Sequence, residues 1–148
     1  MSQDEETLRR LVLELQILEG TADTLQTRLN FVNAAITELQ MANETIEGLK
    51  NEEVGTLILV PIGGGSYAKA RIDDTKNLIV GIGADVSTEK DVNSAQEDVG
   101  TRILELEKAR TAVQKQLNEV VIQGGRLQNQ IRAMTEQQSE GKENVREA

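Results

Sequence analysis

Two stretches of this sequence have residue types that could do chemistry. Asp73-Asp74 could open a cation-binding loop, and Gly63-Gly64-Gly65-Ser66-Tyr67-Ala68-Lys69 superficially looks like a phosphate-binding loop. Neither is complete. A calcium loop needs oxygen ligands at alternate positions closed by a bidentate Glu, and that spacing is absent. A phosphate loop needs G-x-x-x-x-G-K-[ST], which is also absent. Gly81-Ile82-Gly83 is too short to count. All three read as turns. The chain has 25 acidic and 16 basic side chains, for a net charge of −9, but no His and no Cys. The usual general base, the thiolate nucleophile and the commonest metal ligands are therefore missing. Zinc sites, Ser-His-Asp triads and Cys-His pairs are excluded. The expectation is a protein that is not an enzyme and holds no cofactor and no metal.

Composition also narrows the partners. An acidic chain lacks the basic footprint of a nucleic-acid binder. Aromatics are 1% of the residues, Phe31 and Tyr67 alone, too few for a base-stacking platform. No apolar run approaches the roughly 20 residues needed to cross a bilayer. The N-terminal MSQDEETLRR is polar and acidic, unlike a signal peptide. A soluble, cytoplasmic protein is expected, with no nucleic acid and no membrane among its partners. Scarce aromatics also argue for apolar surface buried in narrow seams between long helices.

The elements follow from periodicity. Residues 1–53 carry Leu8, Leu11, Leu15, Leu18, Ala22, Leu25, Leu29, Val32, Ile36, Leu39, Asn43, Ile46 and Lys50 at alternating steps of three and four. That is a heptad seam sustained over six repeats. Ser2 and Glu5 have capping-box spacing at its start. Residues 89–138 repeat the pattern through Val92, Gln96, Val99, Ile103, Leu106, Arg110, Val113, Leu117, Val120, Gly124, Leu127, Ile131, Met134 and Gln138. Asp91 or Ser94 is a candidate cap. Residues 139–148 are polar and lack a stripe, so they are expected to be disordered.

Residues 54–88 hold half of the twelve Gly and the only Pro. Runs 56–62, 66–72, 77–82 and 84–88 read as four short strands forming two β-hairpins. Such short strands are marginal alone. Their apolar surface needs a cover, and strands of another subunit are expected to supply it. Leu57, Leu59, Ile62, Tyr67, Ile79, Val80 and Ile82 are the candidate assembly residues. The equal arms suggest an antiparallel pair in which Lys50 faces Val92, Leu29 faces Val113, Leu15 faces Leu127, Leu18 faces Gly124 and Leu8 faces Met134. A slip of one heptad would match the seams as well. The fold class is mainly α with a small β portion: a long antiparallel two-helix coiled-coil hairpin with two β-hairpins at its base.

Two heptad arms flanking LILVPIGGGSYAKARIDDTKNLIVGIGADVSTEKD (57–91) resemble the α subunit of archaeal-type prefoldin. The resemblance covers essentially the whole chain and is most specific over 57–91. Two strand pairs between the arms, rather than one, are similar to the α class. The resemblance implies a hexamer of two α with four β subunits, in which the hairpins build an intersubunit β-barrel. It further implies tentacle-like arms that capture unfolded polypeptide at their tips without ATP and deliver it to a group II chaperonin.

A holdase needs apolar surface that stays wet. In 8–18, seven of eleven residues are apolar: Leu8, Leu11, Val12, Leu13, Leu15, Ile17 and Leu18. Val12, Leu13 and Ile17 fall off the seam, where a two-stranded coil leaves them uncovered. Leu127, Ile131 and Met134 lie opposite, and Met suits adaptable contacts. These ten residues are the candidate client-binding tip. Gly124-Gly125 reads either as a soft point in the helix or as close packing under Leu18. Asn43 and Arg110 read as register-setting seam residues. The competing reading is a structural coiled-coil scaffold or tether whose hairpins oligomerise and which binds no client.

Overall fold

The computed structural model describes residues 2–147, with side chains to Arg146. Its elements run α1 (Gln3–Lys50), β1 (Leu57–Gly63), β2 (Ser66–Arg71), β3 (Asn77–Gly83), β4 (Val86–Asp91) and α2 (Val92–Glu147). The contacts divide the chain into two compact units, Met1–Asn33 with Lys108–Ala148, and Ala34–Glu107. Both helices pass through both units.

In the first unit the two helices pack antiparallel along the heptad seam. Leu25, Leu29, Val113 and Leu117 form a buried cluster, with Ala22 and Val120 packed against it. These are the residues that the register of Lys50 opposite Val92 brings together. The seam is thin: no large side chain is fully buried among the described residues, and no buried residue is polar or charged. Stability of such a helix pair comes from one continuous apolar stripe rather than from a globular centre. The threonines scattered along both helices are accommodated because their hydroxyls donate back to carbonyls one turn earlier. Thr21 bonds Ile17, Thr24 bonds Gly20 and Thr135 bonds Ile131, at 2.8–3.1 Å.

The start of α1 is capped as its spacing predicts: the Glu5 N–H donates to Ser2 Oγ at 3.2 Å. At the other end of the chain the expectation fails. Residues 139–147 are helical and continue α2, whereas the sequence suggested disorder; Ala148 lies outside the described residues. Gly141 is the weakest helix former in that stretch, and Lys, Glu and Arg propagate a helix already nucleated upstream. The first turn of α1 is also its neighbour. Ser2, Asp4 and Glu5 line a hollow with Gln138, Lys142 and Arg146, so acidic and basic side chains face one another.

In the second unit a further cluster joins Ile46 to Val92, Ala95 and Val99, with Leu39, Leu78, Val80 and Ile103 against it. The seam positions Lys50 and Gln96 are polar because they bond each other. Lys50 Nζ donates to Gln96 Oε1 at 2.6 Å, and Gln96 Nε2 donates to Glu47 Oε2 at 2.6 Å. These bonds add directionality where apolar packing has none.

β1 pairs with β2 and β3 with β4, each antiparallel, as two separate two-stranded sheets. The hairpins are the same structure twice. Leu57↔Arg71 and Asn77↔Asp91 open the two ladders, and every later pair, together with the irregularity before the turn, recurs twenty positions on. Gly64-Gly65 and Ala84-Asp85 are the two-residue turns, with φ of 58° and 75° in the first and 50° and 58° in the second. Two consecutive positive φ values match the twist of the flanking strands. The strand expected at 84–88 therefore starts later, at Val86, and continues through Glu89-Lys90-Asp91, which pair with Ile79, Leu78 and Asn77. α2 begins at Val92 instead of 89. Its cap is Asp91, not Ser94. The Asp91 carboxylate accepts the Ser94 hydroxyl at 2.6 Å and the Ser94 N–H at 3.1 Å. Those bonds, the hydroxyl first, hold its pKa below the ordinary carboxylate value.

Two outcomes follow. Ala84 sits in the left-handed region, which disfavours any Cβ, so Ala84→Gly should raise stability to unfolding by about 0.5–1 kcal/mol in a thermal melt. A depressed carboxylate pKa stabilises above the unfolded value, and that contribution is lost as pH falls through the folded one. Asp91→Ala should therefore lower the melting temperature at neutral pH, and the difference from the parent should shrink on acidification below the ordinary carboxylate range.

Candidate functional site

The candidate tip residues fall into two groups. Leu11 and Leu127 are buried in the seam, and Leu8, Leu15, Leu18, Ile131 and Met134 are half-buried along it. Val12, Leu13 and Ile17 are exposed, Ile17 at 67% of its surface. Open apolar surface on this part of α1 is thus confined to the off-seam three. On α2, Val121 and Ile122 are also exposed, and the sequence reading passed over them. The signal was present: Val120-Val121-Ile122 is a run of three apolar residues, and a helix can turn only one of them into the seam.

Between the helices of this unit lies a groove of about 320 Å³. It is lined by Leu15, Leu18, Glu19 and Ala22 from α1 and by Val120, Val121, Gly124, Gly125 and Gln128 from α2. The groove exists because the Gly pair supplies no side chains. A Cβ at Gly124 would meet Leu15 Cδ1 at 3.9 Å, and one at Gly125 would meet nothing within 4 Å. The residue nearest Gly124 is thus Leu15 rather than Leu18, since a knob seats among four residues of the facing helix and not against one.

In the second unit the candidate assembly residues also divide. Leu57, Leu59, Ile62, Tyr67, Ile79 and Ile82 are exposed, Ile79 at 81%. Val80 is half-buried and packs on the cluster of Ile46, Val92, Ala95 and Val99. Alternation explains the split: Leu78 and Val80 turn toward the helices, so Ile79 turns away. On the outward side of β1–β2 the register places Leu59 across from Lys69 and Leu57 across from Arg71. The equivalent positions of the second hairpin set Ile79 across from Glu89 and Asn77 across from Asp91. Both hairpins expose apolar side chains and unpaired strand edges, which is a template for further pairing.

The two chemistry-like stretches resolve into turns. Asp74 Oδ1 accepts the N–H groups of Lys76 and Asn77 at 2.8 and 3.1 Å, and its Oδ2 accepts Asn77 Nδ2 at 3.2 Å. The Lys76 N–H is the main cause of its lowered pKa, followed by the Asn77 side chain. Gly63–Gly65 closes the first hairpin and stands at no helix N-terminus, the position from which a phosphate loop works. Among the described residues no group of three or more carboxylates is arranged to hold a metal. No helix among them is long and apolar enough to cross a membrane.

A pair of long helices joined through twin hairpins agrees with the expected architecture, and comparison with known proteins decides the family. Residues 18–137 match the prefoldin family, described as "Prefoldin subunit". The chain belongs to the prefoldin family. Its relatives include prefoldin subunit alpha 1 of Thermococcus kodakarensis, 40% identical over 105 residues, or 71% of this chain and 72% of the relative. Prefoldin subunit alpha of Pyrococcus horikoshii is 34% identical over 140 residues, covering 94% of this chain and 95% of that one. Among solved structures, the filamentous prefoldin of Methanocaldococcus jannaschii superposes with a TM-score of 0.67 at 19% identity, covering 76% of this chain and 93% of that chain. That likeness bears on the fold alone. The prefoldin identity is that of a non-enzymatic chaperone subunit.

The burial pattern predicts opposite responses to substitution within a few residues. Leu11→Ala should cost about 2 kcal/mol or more, since it opens a gap in the seam. Replacing Val12, Leu13 and Ile17 together with Ser should cost less per position, because exposed positions away from special features shift stability by only about 0.5 kcal/mol each. Circular-dichroism melts of the two variants measure both.

Proposed function

We propose that this prefoldin chain is an α subunit of an ATP-independent holdase that captures unfolded polypeptides at the apolar tips of its helix pairs. The observation that carries the reading is the exposure of Val12, Leu13 and Ile17 on one end of α1, beside a seam that has no place for them. Leaving such a side chain wholly in water forgoes about 1.5–3 kcal/mol of burial, and Val12, Leu13 and Ile17, at 37–67% exposure, forgo part of it. A client segment recovers part of that on docking. Contacts of this kind have no directional requirement, so they suit chains of any sequence that expose apolar residues. Several tips acting on one client add avidity without adding specificity.

Assembly is the work of the hairpins. Two α subunits join four β subunits, with the exposed residues of both hairpins and their open edges entering a shared β-barrel. Leu57, Leu59, Ile62, Tyr67, Ile79 and Ile82 supply the contacts, and Val80 holds its hairpin to the helices of its own chain. The assembled holdase works in the cytoplasm and delivers its clients to a group II chaperonin.

The test uses the chain assembled with its β partner and a chemically denatured protein diluted from denaturant. Aggregation followed by light scattering should be suppressed without ATP. The Val12, Leu13 and Ile17 to Ser variant should lose most of that protection while keeping the mass of the assembly. Equal protection by parent and variant would sink the tip reading, and no protection by either would leave a scaffold. Ile79→Asp should lower the assembly mass, and an unchanged mass would exclude that hairpin face from the interface.

A further inference from the structure

We propose that the groove lined by Gly124-Gly125 is an anchor site for one bulky apolar side chain of a client, followed in the client by a basic residue. The inference rests on the holdase reading and names what one of its contacts selects. Leu15, Leu18, Val120 and Val121 give the groove an aliphatic lining, and Gly124 and Gly125 add no side chain to it. Its volume of about 320 Å³ admits a Phe- or Leu-sized group. Glu19 is the only charged residue lining it and makes no ion pair among the described residues. The rim thus offers one unmatched negative charge beside an apolar slot. A Lys or Arg next to the anchor in the client would sit against that carboxylate. Off-seam residues such as Ile17 give a flat greasy contact, whereas this groove gives a contact with a size and a sign.

Because the chain has no Cys, a single thiol introduced as Gln128→Cys at the groove edge reports on occupancy by disulfide exchange. The probes are short Gly/Ser peptides carrying one thiol and Phe-Lys, Ser-Lys or Phe-Glu, offered in competition to the full assembly and read by mass spectrometry. Phe-Lys should be captured about tenfold over Ser-Lys, the advantage expected from burying one aromatic side chain. It should also be captured over Phe-Glu. Two further variants separate filling from stiffening. Ala and Leu are both good helix formers, so Gly125→Ala and Gly125→Leu should both raise the melting temperature. Only Leu is large enough to plug the groove. The preference for Phe-Lys should survive Gly125→Ala and vanish in Gly125→Leu.

Loss of the preference in both variants would assign the effect to helix softness and overturn the proposal, as would its survival in Gly125→Leu. A fall in assembly mass with Gly125→Leu would mean that another subunit covers the groove, which also overturns it. Equal capture of Phe-Glu removes the assigned charge selectivity. Absence of any preference in an assembly that still suppresses aggregation overturns this proposal alone; absence of both overturns the holdase reading with it.

Discussion

The seam between α1 and α2 is the constraint on which the rest of the chain depends. A two-stranded coil buries one stripe per helix and nothing more. Leu25, Leu29, Val113 and Leu117 occupy that stripe in one unit, and Ile46, Val92, Ala95 and Val99 in the other. Any apolar residue beyond the stripe stays at the surface because no second layer exists to receive it. Val12, Leu13, Ile17, Val121 and Ile122 are exposed for this reason. In a globular domain the same residues would be errors of patterning. Here the thinness of the core makes them available to other molecules.

The second consequence of a thin core concerns the hairpins. Leu78 and Val80 find cover on the apolar cluster of Ile46, Val92, Ala95 and Val99, and Ile58 and Ala70 of the first hairpin are half-buried. Ile79 and the first hairpin's Leu57, Leu59 and Tyr67 are exposed. Isolated two-stranded sheets are marginal in water. The polar bonds among Glu47, Lys50 and Gln96, and the Asp91 cap, fix where the helices begin and end relative to the strands. The Val92 N–H adds a bond to the Lys76 carbonyl at 2.8 Å, which ties the start of α2 to the start of the second hairpin.

The helical part of the fold was legible because a heptad pattern is long and redundant: one Asn or Arg in a seam of thirteen or fourteen positions does not hide it. The strands were legible as elements but not in their faces. A continuous apolar run such as TLILVPI carries no alternation, so it did not reveal that Val80 turns inward and Ile79 outward in the equivalent run. The beginning of β4 was misjudged because Ala84 does not advertise a left-handed turn, although Asp85 tolerates one; the ladder on either side sets the turn. The helical tail at 139–147 was missed because it continues a helix already nucleated upstream and needs no stripe of its own. Gly124-Gly125 was visible as a weak point, yet the groove it lines needs two helices at once and cannot be seen in either alone.

The twin hairpins share a backbone but not a sign. Lys69 and Arg71 in the first stand where Glu89 and Asp91 stand in the second. A single chain therefore carries two plugs of one shape keyed by opposite polarity. Like against like brings cation to cation or anion to anion, while unlike brings them into register. Two copies of one backbone shape thus present electrostatically distinct outer faces within the same chain.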